Sequence, residues 1–354
     1  MKTVERMFEG PLDVVGDIHG QIDALQNLLG KLSYAPDGSH PENRKLIFVG
    51  DLVDRGPDSV AVVEQVMNMV RAGNAQCVLG NHELNVLRNS KKHDNNWYFN
   101  DPAKPMNGQR VATASERATI RQFFAGLPLA LERDDLRVVH ACWHAESIEL
   151  MQRASNSKWD VADHYRRFRE ETEQELDSDG LLGSFSQEAE EFGTLIEYEN
   201  NDPIVHWPDA RLLPGHATVH EARQMKNPVA VMTSGEERAA EKTYPAGGKF
   251  RFVNRVPWWN DYHDEQAIII GHYWRLADMS IENKPRATGI DLFSNARPDQ
   301  WLGARNNVYC VDFSVGGRAS GHSHQICRLA AVRWPEARVT FDDGEELETE
   351  FGNF

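Results

Sequence analysis

Short apolar runs, each closed by a polar turn, recur along the chain and set the order of its elements. Leu12–Val15 reads as a fully buried strand. The helical spacing that follows puts Ile22, Leu25, Leu28, Leu29 and Leu32 on one face. A Pro/Gly-rich loop over residues 35–43 leads to a second strand at 46–49. A helix is expected from Asp58, a good N-cap, to Ala72, with Gly73 as its stop. The third strand is read at 76–79, with a short helix starting at Glu83. Crossovers of this length imply parallel strands with right-handed connections. Their C-terminal ends then lie along one edge, where such sheets bind their ligands.

The second half is patterned less evenly. Residues 91–109 read as a long surface loop, followed by a helix over 115–125 and a fourth strand, Leu136–Val139, ending in His140. Residues 146–200 are acidic and helix-prone, which predicts an inserted helical cap; a solvated face accounts for most of that charge. Residues 202–259, studded with Pro and Gly, read as irregular. Ala267–Ile270 is another apolar strand and ends in Gly271-His272. Strands at 308–313, 326–332 and Arg338–Phe341 are expected to join in antiparallel fashion and close a second sheet, with an acidic tail behind them. No solenoid repeat is visible, and a single domain over residues 1–354 is expected.

Composition narrows the function. The 354 residues carry 38 basic and 54 acidic side chains, a net charge of −16, which argues against nucleic acid as a partner. Cys77, Cys142, Cys310 and Cys327 show no paired spacing and read as buried, reduced thiols. There is no apolar run near the ~20 residues of a membrane span, and no basic-then-apolar leader pattern opens the sequence. A cytoplasmic protein without a membrane partner is the expectation.

Candidate chemistry lies where the apolar runs end. VVGDIHG (14–20), FVGDLVDRG (48–56) and VLGNHE (78–83) share one grammar: an aliphatic run, Gly, then a metal-ligand type. Three strand ends thus deliver Asp17, His19, Asp51 and Asn81 to one edge, and His140 and His272 end two further apolar strands. A carboxylate able to bridge, with oxygen and imidazole ligands around it, suits two divalent cations side by side. Each piece alone is an ordinary turn or a structural histidine; their joint, ordered occurrence is the signal. His144 and His216 stand as alternatives to His140 and His272.

GDIHG, GDLVDRG and GNHE, with the later VHA and GHY, resemble the calcineurin-like metallophosphoesterases. The nearest type is the phosphoprotein phosphatase branch shared by serine/threonine phosphatases and symmetric diadenosine tetraphosphatases. The resemblance is dense over 12–145 and thin over 265–330; RVPWW and GHYWR are similar to bacterial members. It implies an α/β fold, a metallophosphoesterase-type β-sandwich flanked by helices, with the helical insertion at 146–200. It places Asp17, His19 and His272 on the first metal, Asp51 between the two, and Asn81 and His140 on the second. It makes His82 a proton donor oriented by Asp54, and Arg55 a grip for phosphate. A second phosphate-gripping arginine is expected among Arg211, Arg223, Arg251 and Arg255. HACWH (140–144) departs from the glycine-rich continuation of the eukaryotic enzymes and so leaves the substrate groove unassigned.

The resulting expectation is a hydrolase of phosphate monoesters, phosphoserine/phosphothreonine proteins or small phosphoesters, using two divalent ions. Mn²⁺ ranks first, with Fe²⁺, Zn²⁺ and Mg²⁺ as alternatives. Its rivals are a symmetric diadenosine tetraphosphate hydrolase and, from another class, a metal-binding scaffold without turnover.

Overall fold

The structure is a computed structural model and describes residues 2–92, 94–103, 108–154, 158–196, 213–246, 249–277, 292–293 and 296–351. In chain order, β1 (Val4–Arg6), β2 (Leu12–Val15), α1 (Ile22–Lys31), β3 (Lys45–Phe48), α2 (Ser59–Arg71), β4 (Ala75–Cys77) and α3 (Asn81–Leu87) form the first half-layer. Next come α4 (Asn96–Phe99), α5 (Ala114–Ala125), β5 (Ala130–Glu132) and β6 (Leu136–Val139). The helices α6 (Ala145–Arg153), α7 (Val161–Ser178), α8 (Leu181–Ile196), α9 (Pro214–Met225) and α10 (Pro228–Ser234) follow. The chain then forms β7 (Glu237–Ala246), β8 (Lys249–Arg255), β9 (Ala267–Ile270), β10 (Val308–Cys310), β11 (Ala330–Trp334), β12 (Arg338–Phe341) and β13 (Glu346–Glu348).

Two sheets face each other. One runs β13-β12-β11-β2-β3-β4 and the other β1-β5-β6-β9-β10, while β7 and β8 make a separate hairpin. The strand period of two explains the layering, because successive side chains point to opposite faces. Leu12, Val14, Ile47, Val49, Val138, Ile269 and Val311 fill one apolar cluster between the sheets. Val15, Leu46, Phe48, Ile268 and Ile270 belong to a second cluster with α1 and α2 on the outer faces. With both faces covered, these strands read as continuous apolar runs rather than as alternation. Asp13 is the exception: wholly buried, it accepts from Arg44 Nε (2.9 Å), Tyr34 Oη (2.6 Å) and Arg333 Nε (3.1 Å).

β2, β3 and β4 are parallel neighbours, as their crossovers require. The N-cap at Asp58 forms, its carboxylate accepting from Ala61 N at 2.9 Å. The helix expected from Glu83 starts two residues earlier, because Glu83 reaches back to accept from Gly80 N at 3.0 Å.

Four expectations need correction. Residues 91–109 are not simply a surface loop: they contain α4, and Trp97 is fully buried. Residues 202–259 are not irregular where described, since they hold α9, α10 and the β7–β8 hairpin. Pro214 and Pro228 sit in first helical turns, where a missing N–H costs nothing. β10 pairs parallel to β9 rather than antiparallel, so only β11, β12 and β13 form the antiparallel extension. The supposed acidic tail supplies β13, whose charges decorate a sheet edge.

Candidate metal centre

Every strand of interest ends at one rim, and the turns there are strained in a shared way. His19, Asp51, Asp54, Arg55, His272 and Trp274 all have positive φ, between 48° and 75°. Such backbone is costly for residues with side chains and collects at functional sites. Glycine is required where two of these turns touch: a Cβ on Gly80 would lie 2.3 Å from Asp51 Oδ1 and 2.4 Å from its backbone N. Glu83, fully buried, ties the turns together by accepting from Asp51 N (2.8 Å), Leu52 N (2.9 Å) and Gly80 N.

Asp51 is the centre of the arrangement. Its Oδ2 lies 3.3 Å from His140 Nε2, 3.8 Å from His82 Nε2 and 3.9 Å from His19 Nε2. Asp17 Oδ2 is 3.9 Å from His19 Nε2 and accepts from His272 N at 3.1 Å. Asn81 Oδ1 is 3.2 Å from His140 Nε2 and 2.9 Å from His272 Nδ1. Thus Asp17, His19, Asp51, Asn81, His82, His140 and His272, drawn from both sheets, meet in one buried place. Two compact groups of side chains that could hold a cation share Asp51: one with His19 and His82, the other with His140 and His272. These side-chain groups divide differently from the family pattern, in which His272 accompanies Asp17 and His19. Asp51 is common to both descriptions.

The donor set fits divalent cations. His19 Nδ1 and His140 Nδ1 are paired with the carbonyls of Val53 (3.0 Å) and Val49 (2.8 Å), which leaves each Nε2 as the outward ligand atom. Buried His19 Nε2 and His272 Nε2 have no hydrogen-bond partner, a state that polar atoms in folded proteins rarely keep. Burial, with Arg55 and His82 for His19 and with Arg255 and His140 for His272, pushes both imidazoles well below their ordinary pKa and keeps them neutral. Burial, then Asp312 and Asp51, pushes the Asp17 carboxyl well up, the mark of buried, crowded carboxylates that the His272 N–H and the Arg55 guanidinium offset only in part. Divalent cations would relieve that crowding.

Beside this cluster sits a second device. His82 Nδ1 is 2.5 Å from Asp54 Oδ2, and Trp97 Nε1 donates to Asp54 Oδ1 at 2.6 Å. Ser59 Oγ accepts from Asp54 N at 2.9 Å. Burial works against a charged imidazole here, yet Asp51 and Asp54 raise His82 to about 9. Arg55 NH2 stands 3.4 Å from His82 Nε2, its Nε lies 3.5 Å from Asp94, and its guanidinium stacks on the Trp274 ring.

The alternatives separate by position. His144 caps α6, accepting from Ser147 N, and His216, in α9, is held by Glu188 of α8. Arg223 is paired with Glu173 through two bonds, and Arg211 lies outside the described residues. Arg255 stands over the Tyr273 ring and is close enough to His272 to depress its pKa. Trp258 and Trp259 are buried, Trp258 Nε1 donating to Ala141 O at 3.0 Å, so their role is packing. Cys142 is buried and its thiol pushed well up by burial, which leaves it unreactive.

Sequence reasoning missed Asp312 and Trp97. Asp312 ends the apolar run at 308–311 and accepts from Trp274 N (2.9 Å) and Ser314 N (2.8 Å). It follows the same strand-end grammar without the glycine. Trp97 carried no periodic signal.

A family profile describing calcineurin-like phosphoesterases matches residues 10–272, well over half of the chain, and the chain belongs to that family of metal-dependent hydrolases. It is 37% identical over 137 residues to the asymmetrical bis(5'-nucleosyl)-tetraphosphatase PrpE of Geobacillus sp. (strain WCH70), covering 37% of this chain and 56% of that protein. It is 42% identical over 77 residues to the symmetrical bis(5'-nucleosyl)-tetraphosphatase of Ralstonia nicotianae, covering 22% of this chain and 24% of that protein. The match spans about half or less of either relative's length. A crystal structure provisionally described as a diadenosine tetraphosphatase superposes with a TM-score of 0.42 at 18% identity, covering 99% of this chain and 100% of that one. Among the described residues, no helix is long and apolar enough to cross a membrane.

Proposed function

We propose that the chain hydrolyses phosphate monoesters, with two divalent cations around Asp51 and His82 as proton donor to the leaving group. Asp17, His19, Asp51, Asn81, His140 and His272 would hold the cations, with Mn²⁺ the metal we would load. Once bound, the cations supply Lewis-acid stabilisation of charge on the phosphoryl oxygens. Arg55, steadied by Asp94 and Trp274, would grip the phosphate from the solvent side, and Arg255 would be the second guanidinium.

The observation that carries this reading is the His82–Asp54 pair at 2.5 Å. An imidazole kept cationic by a buried carboxylate is of most use to a leaving alkoxide, which must be protonated as it departs. A phosphoanhydride releases a stable phosphate and gains little from such a donor. Trp97 supports the pair from behind, so Trp97→Phe should lower kcat about tenfold, the scale of one hydrogen bond to a charged group. The check is kcat measured beside metal content, which should not change. The helices α6–α8, of which α7 packs on α3, would act as the substrate-selecting cap.

A second reading, hydrolysis of bis(5'-nucleosyl) tetraphosphates, is favoured by the names of the curated relatives. Mn²⁺-loaded protein should be given a phosphothreonine peptide and diadenosine tetraphosphate in parallel. Faster phosphate release from the peptide supports the monoesterase. Faster appearance of ADP, or of ATP with AMP, by chromatography moves the function to the dinucleotide. Metal binding with neither activity would leave a scaffold.

A further inference from the structure

We propose that Trp274 is a stacking platform for an aromatic ring carried on the leaving side of the substrate; this rests on the phosphohydrolase reading of the adjoining site. Trp274 and Leu150 are the large hydrophobic side chains left exposed among the described residues, each 39% accessible. Leu150 lies on α6, whereas Trp274 lies two residues past His272 at the rim of the metal centre. Its neighbours turn inward: Tyr273 and Arg275 are 4% and 2% accessible. The turn that exposes the indole is pinned at successive points. Trp274 N donates to Asp312 Oδ2 at 2.9 Å, Arg275 N to Asp312 O at 3.0 Å, and Arg275 NH1 to Cys310 O at 3.2 Å. Trp274 itself holds φ at 53°, a left-handed conformation unfavourable for an aromatic residue. Part of the indole is therefore presented at the rim, beside Arg55, by a fixed, strained backbone.

Its placement names the ligand chemistry. The Arg55 guanidinium carbon is 4.4 Å from the indole centroid, and Arg55 NH2 is 3.4 Å from His82 Nε2. The indole thus stands one side chain beyond the group assigned to protonate the departing oxygen. A flat ring attached to that oxygen, directly or through a sugar, would come within reach of the indole while its phosphate meets Arg55. Two sources share this chemistry, the phenyl ring of an aryl phosphate and the base of a nucleotide. Trp274 would raise affinity for either over a ringless ester of equal charge, because stacking tolerates any π-face.

The test needs binding alone. Phenyl phosphate against ethyl phosphate, and AMP against ribose 5-phosphate, are titrated calorimetrically into metal-loaded protein carrying His82→Asn, with and without Trp274→Ala or Trp274→Phe. The ringed member of at least one pair should bind more tightly, and Trp274→Ala should cut that ratio about tenfold. Trp274→Phe should keep most of it. Loss confined to one pair assigns the source as phenyl or nucleobase. Ratios near one before the tryptophan is changed, or ratios untouched by Trp274→Ala, overturn the proposal. So does equal weakening of ringed and ringless ligands, which would make Trp274 a prop for Arg55. Absence of turnover in the unmutated protein refutes the hydrolase reading, yet leaves these ratios legible.

Discussion

His82→Asn should slow hydrolysis of an alkyl phosphomonoester by about 10²–10⁴-fold while the cations stay bound. The loss should shrink as the leaving group improves, so that p-nitrophenyl phosphate and phosphoanhydrides suffer far less. The physical ground is the geometry of one pair. Asp54 is fully buried, accepts from Trp97 Nε1, and holds His82 Nδ1, so that Nε2 is turned toward Asp51, 3.8 Å away, and Arg55. Asparagine can keep an amide bonded to Asp54 but carries no transferable proton. A series of esters graded by leaving-group pKa gives the measurement: the plot of log kcat against that pKa should be steeper for the variant. Parallel plots with the same loss throughout would mean that His82 serves the metals or the fold and not the leaving oxygen.

Asp51→Asn should strip the protein of most of its metal and reduce turnover by at least about 10²-fold. Asp51 belongs to both groups of side chains that could hold a cation, whereas His19 and His140 each belong to one. An amide in its place keeps the size but removes the charge that faces His140, His82 and His19. Metal retained after desalting, measured by atomic emission, reads the first effect directly. Thermal unfolding reads it independently, because a ligand present at 100 times its Kd stabilises the folded state by about 2.7 kcal/mol. The unmutated protein should therefore melt higher with Mn²⁺ than with EDTA, and the variant should lose most of that difference. Undiminished metal content with an undiminished melting shift would remove Asp51 from the centre of the site.

The parts of the fold that were legible share one cause. Strands buried on both faces must be apolar throughout, and the helices between them must carry one apolar stripe, so β2, α1, β3, α2 and β9 could be read directly. The strand-end glycines announced the rim because backbone there approaches backbone, as at Gly80 against Asp51. What was hidden depended on tertiary contact. Trp97 sits in a polar, Pro-containing stretch whose periodicity says nothing, and its burial follows from a partner 43 residues away. β5 and β13 have three residues each, too few for alternation to show. Arg255 was one of four equivalent arginines until the β7–β8 hairpin placed it near His272. Asp312 lacked the glycine that marked its counterparts.

The way the rim is divided between the sheets also bears on the order of events in synthesis. Asp17, Asp51 and Asn81 emerge from the ribosome early, on neighbouring parallel strands, but His272 N bonds to Asp17 across 255 positions of sequence. Contacts that distant close late, since loop-closure entropy must be overcome before they contribute. A nascent chain halted before β9 would already carry Asp17, His19, Asp51, Asn81 and His140, but its second sheet would lack β9 and β10 and no His272 would complete the shell. Full metal uptake would then report that the two sheets have docked, and a translation-arrest series should show it appearing in a step only after residue 272 has cleared the exit tunnel.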